Sequence, residues 1–192
     1  MKHHFFALLS RMKYINRWGL MRSTRPENLS EHSLETAFIA HALCLIKNKQ
    51  LGGNLNAERA AVIAMFHDCT EIITGDMPTP IKYDNETIKS VYKQIEKAAG
   101  ERLISHLPEY LKPEYEEILN PSETELVKIV KAADKISALI KCIEEGSMGN
   151  NEFKVAERST RELIAQLNLP EAEIFVNEFL ASYGLTIDEQ SL

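Results

Sequence analysis

The sequence predicts an all-α fold, and three observations support this. No segment sustains the alternation of apolar and polar residues that a half-buried strand requires. Apolar residues instead recur at the spacing of one helix face, and Gly, Pro and N-capping residues separate segments of helix length. Without an internal repeat or a flexible linker, the 192 residues predict a single compact helical bundle over 1–192.

The first long helix is predicted from a capping box. Asn28 is followed by Glu31 at the distance at which the two residues can satisfy each other's backbone N–H groups. Apolar residues continue at helical spacing to about Lys47, and Gly52 with Gly53 ends the element.

The second helix is predicted to begin after Asn56, a favoured N-cap residue, and to end at Gly75. A loop follows over 76–80, because each of its two prolines disfavours the helical conformation of the preceding residue. The last two turns of this helix contain three residues that can carry chemistry: His67, Asp68 and Glu71.

Four further helical segments complete the prediction. They cover about 85–106, about 122–146 after a second capping box at Ser122 and Glu125, 151–167 and 170–183. A short irregular stretch is expected between Pro108 and Pro113.

The composition excludes several classes of protein. No apolar run approaches the roughly 18 residues needed to cross a bilayer, and the first residues lack the pattern of an export signal. Three cysteines outside any C-x-x-C arrangement do not indicate a disulfide framework, which predicts a cytoplasmic protein.

Charge is distributed unevenly along the chain. The net charge is −6, yet the first 26 residues hold six cations and no acid. The sequence therefore predicts a basic N-terminal arm over about 1–26, joined to an acidic remainder. An acidic body disfavours extended nucleic-acid binding, whereas a small anion can still reach the arm.

Two histidines and two aspartates form a candidate metal site. His67 and Asp68 are adjacent, and helical neighbours diverge by about 100°, so one ion can meet both only from between them. His32 and Asp134 lie on other predicted helices. A mixed imidazole and carboxylate set favours a divalent transition ion such as Mn, Co, Fe, Ni or Zn. Four ligands would leave two positions of a six-coordinate ion open for catalysis.

Each of these residues also has an ordinary interpretation. A lone buried histidine is more often part of a core, and an acid in mid-helix is more often a solvated surface residue. On the predicted helix, Asp134 falls about a quarter-turn from the lysine-rich face and beside Val127 and Val130. That position favours partial burial.

The ordered set H…HD…D, with 35 positions from His32 to His67 and 66 from Asp68 to Asp134, resembles the HD superfamily of phosphohydrolases. Short sequence motifs around these residues make the resemblance closer. They are I-N-R-W at 15–18, S-E-H-S at 30–33, H-D-x-x-E at 67–71, G-D-x-P-T-P at 75–80, K-A-A-D at 131–134 and G-N-N-E-F at 149–153. Together they resemble the bacterial HD-domain 5′-deoxynucleotidases over nearly the whole chain.

The resemblance implies a phosphoric monoester hydrolase. Its substrates would be deoxyribonucleoside 5′-monophosphates of any base, with selection against ribonucleotides. It further implies one divalent ion, Co, Mn or similar, held by His32, His67, Asp68 and Asp134, and a homodimer. The implied substrate contacts are Arg17, Trp18, His32, Asp68, Asp76, Met77, Pro78, Thr79 and Asp134.

Individual residues suit these roles. Glu71 lies four positions after His67, where a helix would present both to the same water, so it is expected to act as general acid/base. Arg17 is a planar cation suited to phosphate oxygens, and Trp18 would leave little room for a ribose 2′-hydroxyl. Asp76 would accept a hydrogen bond from a sugar hydroxyl. A solvated Glu, a surface Arg and a core Trp are the alternatives.

Two other functions remain open at this point. Another HD enzyme could act on a nucleoside triphosphate, a cyclic dinucleotide or a guanosine polyphosphate with much the same ion site. A non-catalytic HD module could instead bind metal only for structure. Cys69 is excluded as a phosphatase nucleophile, because no arginine follows it in a C-x5-R phosphate loop.

Overall fold

The computed structural model describes residues 2–82 and 85–191. Over these ranges the regular structure is helical, and the one extended pairing is an isolated antiparallel bridge between Asn16 and Asn28. The predicted all-α fold class is confirmed. No helix within the described ranges is both long enough and apolar enough to cross a membrane.

The α-helices, in chain order, are α1 Phe5–Leu9, α2 Leu29–Gln50, α3 Ala57–Phe66, α4 Glu71–Thr74, α5 Thr79–Lys82, α6 Glu86–Ile104, α7 Lys112–Leu119, α8 Thr124–Ser147, α9 Lys154–Gln166 and α10 Pro170–Phe179. Short 3-10 helices cover Ser10–Tyr14, Glu109–Leu111, Asn151–Phe153 and Leu180–Gly184.

The helices form two compact units, each assembled from separate stretches of chain. The first unit comprises Met1–Leu20, Pro26–Ser33 and Phe66–Ser122. The second comprises Met21–Arg25, Leu34–Met65 and Glu123–Leu192. The organisation of the chain as one domain stays a prediction.

The first unit is built around α6, which packs against α1, α4 and α7. Its core includes Phe5, Met12, Leu29, Cys69 and Leu103, all with exposed fractions below 5%. Phe5 and Met12 come from the segment predicted as a basic arm, so the arm's apolar residues anchor it in this core.

The second unit has its own apolar core, in which α8 packs against α9 and α10. Leu43, Ile136, Leu139 and Ile140 are fully buried there. On α8, Lys128 and Lys131 of the predicted lysine-rich face are exposed and Lys135 is partly buried, while Ile129 and Val130 are buried.

The capping predictions are confirmed at two helices and wrong at a third. Asn28 accepts hydrogen bonds from the N–H groups of Ser30 and Glu31, and Glu31 accepts one from Asn28. Asn56 caps α3 by accepting from the N–H of Arg59. Ser122 does not cap α8, because that helix begins at Thr124 and its N-cap position is Glu123, which makes no side-chain cap bond.

Two helices contain a proline in their first turn, at places where the sequence predicts irregular structure. Residues 112–119 form α7, with Pro113 in its first turn. Thr79–Lys82 form α5, so the predicted loop at 76–80 is correct only as far as Pro78. Both differences have one cause: a proline in the first turn of a helix lacks only an N–H that would have no partner within the helix.

A buried carboxylate organises part of the second unit. Glu145 is fully buried and accepts hydrogen bonds from Lys141 Nζ at 2.5 Å, from the N–H and hydroxyl of Thr24 at 2.8 Å and from Asn150 Nδ2 at 2.8 Å. Burial alone would raise the pKa of Glu145, but these donors lower it from 4.5 to about 2. The G-N-N-E-F motif at 149–153 thus contributes Asn150 to the hydrogen bonds around Glu145.

Replacing Glu145 with glutamine is expected to lower the free energy of unfolding at pH 7 by about 3 to 5 kcal/mol, because the Lys141 ammonium loses its buried counter-charge. The pKa of Glu145 is lower in the folded chain than in the unfolded chain. Its contribution is therefore complete above about pH 4.5 and is lost as the pH falls towards 2.

Urea unfolding at pH 7 and at pH 3 measures both effects. The stability difference between the two proteins should shrink at the lower pH. Glu178→Gln, at an exposed position of α10, is the matched control. Equal stabilities of wild type and Glu145→Gln at pH 7 would contradict this prediction.

Candidate functional site

A turn between α3 and α4 positions His67 and Asp68. The N–H of Cys69 bonds to the carbonyl of Phe66 at 3.1 Å, and the N–H of Glu71 bonds to that of Asp68 at 3.0 Å. These three-residue bonds end α3 at Phe66, so the predicted continuous helix from 56 to 75 is wrong. In this turn the His67 Nε2 atom lies 3.2 Å from Oδ2 of Asp68.

His32 completes a cluster of three candidate metal ligands. It lies in the first turn of α2 and is fully buried. Oδ2 of Asp68 is 3.5 Å from Nε2 of His32 and 3.2 Å from Nε2 of His67. One ligand atom from each residue lies within 4.8 Å of the others. The structure therefore brings together three of the four predicted ligands.

The donor set fits a divalent transition ion. Two imidazole nitrogens face one carboxylate oxygen, and these groups attract each other only if a proton or a cation lies between them. Imidazole and carboxylate together suit Zn, Mn, Co or Fe better than Mg or Ca. The side chains of His67 and Asp68 keep exposed fractions of 15% and 17%, so the cluster is accessible from one side.

Asp134 lies in the middle of α8, in the second unit. Its side chain is 25% exposed and its Oδ2 accepts a hydrogen bond from Lys135 Nζ at 3.1 Å. The predicted partial burial is confirmed. Its coordination of the same ion as His32, His67 and Asp68 stays a prediction.

Arg17 lies next to the cluster and bonds to two carboxylates. Its Nη1 donates to Oδ2 of Asp68 at 3.4 Å, and its Nε donates to Oε2 of Glu27 at 3.4 Å. Trp18 donates its indole N–H to the same Glu27 oxygen at 2.7 Å. The predicted phosphate-binding and sugar-binding residues are thus joined to the predicted ligands.

Glu27 is a site residue that the sequence reasoning missed. Besides its bonds to Arg17 and Trp18, its Oε1 lies 3.7 Å from Nδ1 of His32. A signal was present, because Glu27 is the first acid in the chain and directly follows the segment with six cations. An acid at that place has many cationic partners within reach.

Glu71 is the first residue of α4 and is only 5% exposed. Burial is the main cause that raises its pKa from 4.5 to about 8, and the nearby carboxylates of Asp68 and Asp76 raise it further against the opposing effect of Lys82 and Arg17. Its Oε2 is buried and has no hydrogen-bond partner in the described part of the chain. A carboxyl with these properties can exchange a proton near neutral pH.

Lys82 is a second residue that the sequence reasoning missed. Its Nζ lies 4.0 Å from Oε1 of Glu71, donates to Glu96 at 2.8 Å and sits 4.6 Å from the centre of the Tyr92 ring. Burial would lower the pKa of Lys82, but the bond to Glu96 raises it above its usual value. Nothing in the helical spacing marks this lysine, since its partners come from α4 and α6.

Asp76 follows the sharp change of direction at Gly75, whose φ of 74° is readily adopted only by glycine. Asp76 is partly buried and accepts a hydrogen bond from the backbone N–H of Trp18. Burial raises its pKa, and Arg17 opposes that change. The structure therefore brings Asp76 close to Arg17 and Trp18, two other predicted substrate contacts.

The other predicted loop residues are less defined. Met77 and Pro78 are partly buried in the segment before α5, and their contact with substrate stays a prediction. Thr79 begins α5, and its side chain lies outside the described part of the structure.

Cys69 is fully buried, and burial with the neighbouring Asp68 charge raises its pKa to about 12. Its thiol is therefore protonated and enclosed, which agrees with its exclusion as a nucleophile.

Solved structures share this fold. An HD-domain phosphohydrolase from Listeria innocua matches with a TM-score of 0.83 at 23% identity, covering 98% of this chain and 92% of the other. A cyanophage S-2L HD phosphohydrolase, solved with dA and one catalytic Zn²⁺, matches with a TM-score of 0.68 at 18% identity, covering 92% and 96%. At these identities the likeness concerns the fold.

Relatives in sequence are much closer. A 5′-deoxynucleotidase from Vibrio vulnificus is 51% identical over 98% of both chains, and one from Yersinia pestis is 52% identical over 98% of this chain and 97% of its own. The family model described as 5′-deoxynucleotidase YfbR-like matches residues 4–183. With the His32, His67 and Asp68 cluster and the flanking Arg17 and Trp18 in place, this chain belongs to the YfbR-like 5′-deoxynucleotidase family.

Proposed function

We propose that this chain is a metal-dependent 5′-deoxynucleotidase. It hydrolyses deoxyribonucleoside 5′-monophosphates to deoxyribonucleoside and phosphate, accepts different bases and selects against ribonucleotides. The names of its relatives support the activity. The observation that carries the mechanism is the convergence of His32, His67 and Asp68 beside Arg17.

The ion would be held by His32, His67, Asp68 and Asp134, and Co or Mn is the expected metal. When bound, such an ion supplies Lewis-acid chemistry, neutralising phosphoryl oxygens and making water a stronger nucleophile at neutral pH. The burial of His32 and the constrained turn at His67 prepare the ligands for it.

Arg17 binds the substrate phosphate. Its guanidinium bonds to Glu27 on one edge and reaches Asp68 on another, so the cation is oriented before substrate arrives. Arg17 is the clearest cation with a family motif attached, and one such clamp suits a monophosphate better than a triphosphate.

Glu71 moves the proton. Its raised pKa leaves the carboxyl able to accept a proton from the attacking water and to return it to the leaving sugar oxygen. Lys82, 4.0 Å away, favours the ionised form that accepts the first proton.

Trp18 and Asp76 contact the sugar and distinguish deoxyribose from ribose. The backbone of Trp18 has a φ of 60°, a conformation that bulky residues rarely adopt, and Asp76 bonds to its N–H. The indole occupies the space that a ribose 2′-hydroxyl would need, and Asp76 accepts a bond from a sugar hydroxyl. Met77, Pro78 and Thr79 contribute further substrate contacts.

We further propose a location, an oligomeric state and a domain organisation for this enzyme. The enzyme is cytoplasmic, acts as a homodimer, folds as one domain over 1–192 and does not bind extended nucleic acid. The acidic net charge of −6 supports the last of these statements.

A phosphate-release assay tests the proposal. Paired deoxyribo- and ribonucleoside 5′-monophosphates are compared in the presence of Mn, Co, Zn or Mg. Wild type is expected to prefer the deoxy substrate, and Trp18→Ala is expected to reduce that preference by about 10-fold or more, because the space for a 2′-hydroxyl opens.

Tyr110→Ala, which removes an exposed aromatic side chain of the same unit, is the matched control. Equal wild-type rates on both sugars would remove the deoxy selectivity while leaving a phosphohydrolase. Release of pyrophosphate from a triphosphate, without turnover of monophosphates, would favour a different HD enzyme. Turnover unaffected by chelation would reject a metal-dependent reaction.

A further inference from the structure

We infer that Glu27 is the positioning residue that sets sugar discrimination in this site. One carboxylate holds both the residue that binds phosphate and the residue that excludes the 2′-hydroxyl. The inference rests on the proposed function, and it assigns to Glu27 a role distinct from metal binding and proton transfer.

The carboxylate of Glu27 accepts hydrogen bonds from two side chains. Its Oε2 accepts from Nε1 of Trp18 at 2.7 Å and from Nε of Arg17 at 3.4 Å. The Glu27 side chain is only 11% exposed, so little water competes for these oxygens. The 2.7 Å indole bond has the length of a strong hydrogen bond to a carboxyl oxygen, and the contact with Arg17 is longer.

Backbone hydrogen bonds fix the position of Glu27. The N–H of Arg17 bonds to the carbonyl of Glu27 at 2.9 Å, and the N–H of Leu29 bonds to that of Ile15 at 3.0 Å. These bonds hold the two segments in one register, with Glu27 opposite Arg17. The position of the carboxylate is therefore set before any ligand binds.

Trp18 has a strained backbone conformation. A tryptophan at a φ of 60° persists only where its surroundings determine its conformation. The indole N–H bond to Glu27 is a side-chain contact that orients the ring. Without it the indole can take other rotamers, and the space that it excludes is no longer constant.

The two bonds can be separated by choice of variant. Glu27→Gln keeps an oxygen that can accept from Trp18 but removes the charge that holds Arg17. It is expected to raise KM for both sugars while largely keeping the deoxy preference. Glu27→Ala removes both bonds, so it should also lower the deoxy-to-ribo ratio of kcat/KM by about 10-fold or more, because the indole would no longer exclude one extra hydroxyl group.

Fluorescence gives a readout independent of turnover. Trp18 is the only tryptophan in the chain, so the emission reports on this residue alone. In Glu27→Ala the emission should shift to longer wavelength and acrylamide should quench it more strongly. A general loss of structure would instead lower the helical circular dichroism signal and both activities alike.

The assay uses the full chain loaded with Mn or Co, and Glu101→Gln, an exposed glutamate of α6, is the control. An unchanged ratio or an unchanged emission in Glu27→Ala overturns the inference. If Glu27→Ala loses helical structure, Glu27→Gln decides, and an unchanged KM overturns it. Wild-type protein that releases no phosphate overturns the proposed function itself, whereas a selective wild type with an indifferent Glu27→Ala overturns only this inference.

Discussion

Replacing Asp68 with asparagine is expected to reduce turnover to the level of the chelated protein. Its Oδ2 lies within 3.5 Å of ring nitrogens from both His32 and His67 and accepts from Arg17. An amide cannot supply the negative charge that balances a divalent cation and the arginine. Loss of several kcal/mol of charge stabilisation in the transition state corresponds to a rate decrease on the order of 10³-fold or more.

Phosphate release and calorimetric titration with Mn or Co measure the two parts of this prediction. Both turnover and ion affinity should fall together in Asp68→Asn. Asp188→Asn, at an exposed position in the second unit, should leave both unchanged. Ion affinity equal to that of wild type would show that Asp68 is not a ligand.

Replacing Glu71 with glutamine should lower kcat by about 10² to 10⁴-fold while the ion remains bound. The amide has nearly the same shape but cannot accept the proton of the attacking water. If Glu71 served only for structure, the ion-loaded variant would keep a kcat close to that of wild type.

The stability part follows from the raised pKa of Glu71. The folded chain holds this proton more tightly than the unfolded chain. The contribution of Glu71 to stability is therefore complete below about pH 4.5 and is lost as the pH rises through 8. Glutamine does not ionise, so Glu71→Gln should gain stability relative to wild type as the pH rises, when metal is removed.

Urea unfolding with a chelator at pH 5 and pH 9 measures this difference, and phosphate release with Mn measures the loss of turnover. Glu86→Gln is the control, because that side chain is 88% exposed. A variant that keeps wild-type turnover would exclude Glu71 as the proton-transfer group.

Local signals in the sequence were sufficient where the chemistry was local. The Asn28 and Glu31 box and the Asn56 cap each depend on residues within three positions, and both are formed. The Ser122 box failed, and a competing contact stands nearby, since Glu123 accepts a hydrogen bond from Arg59, 64 positions away. A long-range bond at a helix end is not visible in a local pattern.

The ordered histidines and aspartates also indicated the site from sequence alone. Three of them meet within 4.8 Å, and the words around them matched a family that the comparisons confirm. The geometry was only partly right. His67 and Asp68 lie in a turn at 67–70, with Cys69 buried in the core, and not in the predicted continuous helix.

The sequence by itself determined the all-α class, most helix positions and the charge asymmetry, because helical periodicity, capping and charge depend on residue types close together in the chain. It also identified the candidate ligands, because their order and the short motifs around them are typical of a known family. Only the tertiary structure decided that Glu27 would hold Arg17 and Trp18, that Lys82 would face Glu71 and that burial would raise the Glu71 pKa. These contacts join residues about ten positions apart that do not lie on one helix, so helical spacing does not reveal them. Desolvation depends on everything packed around a group.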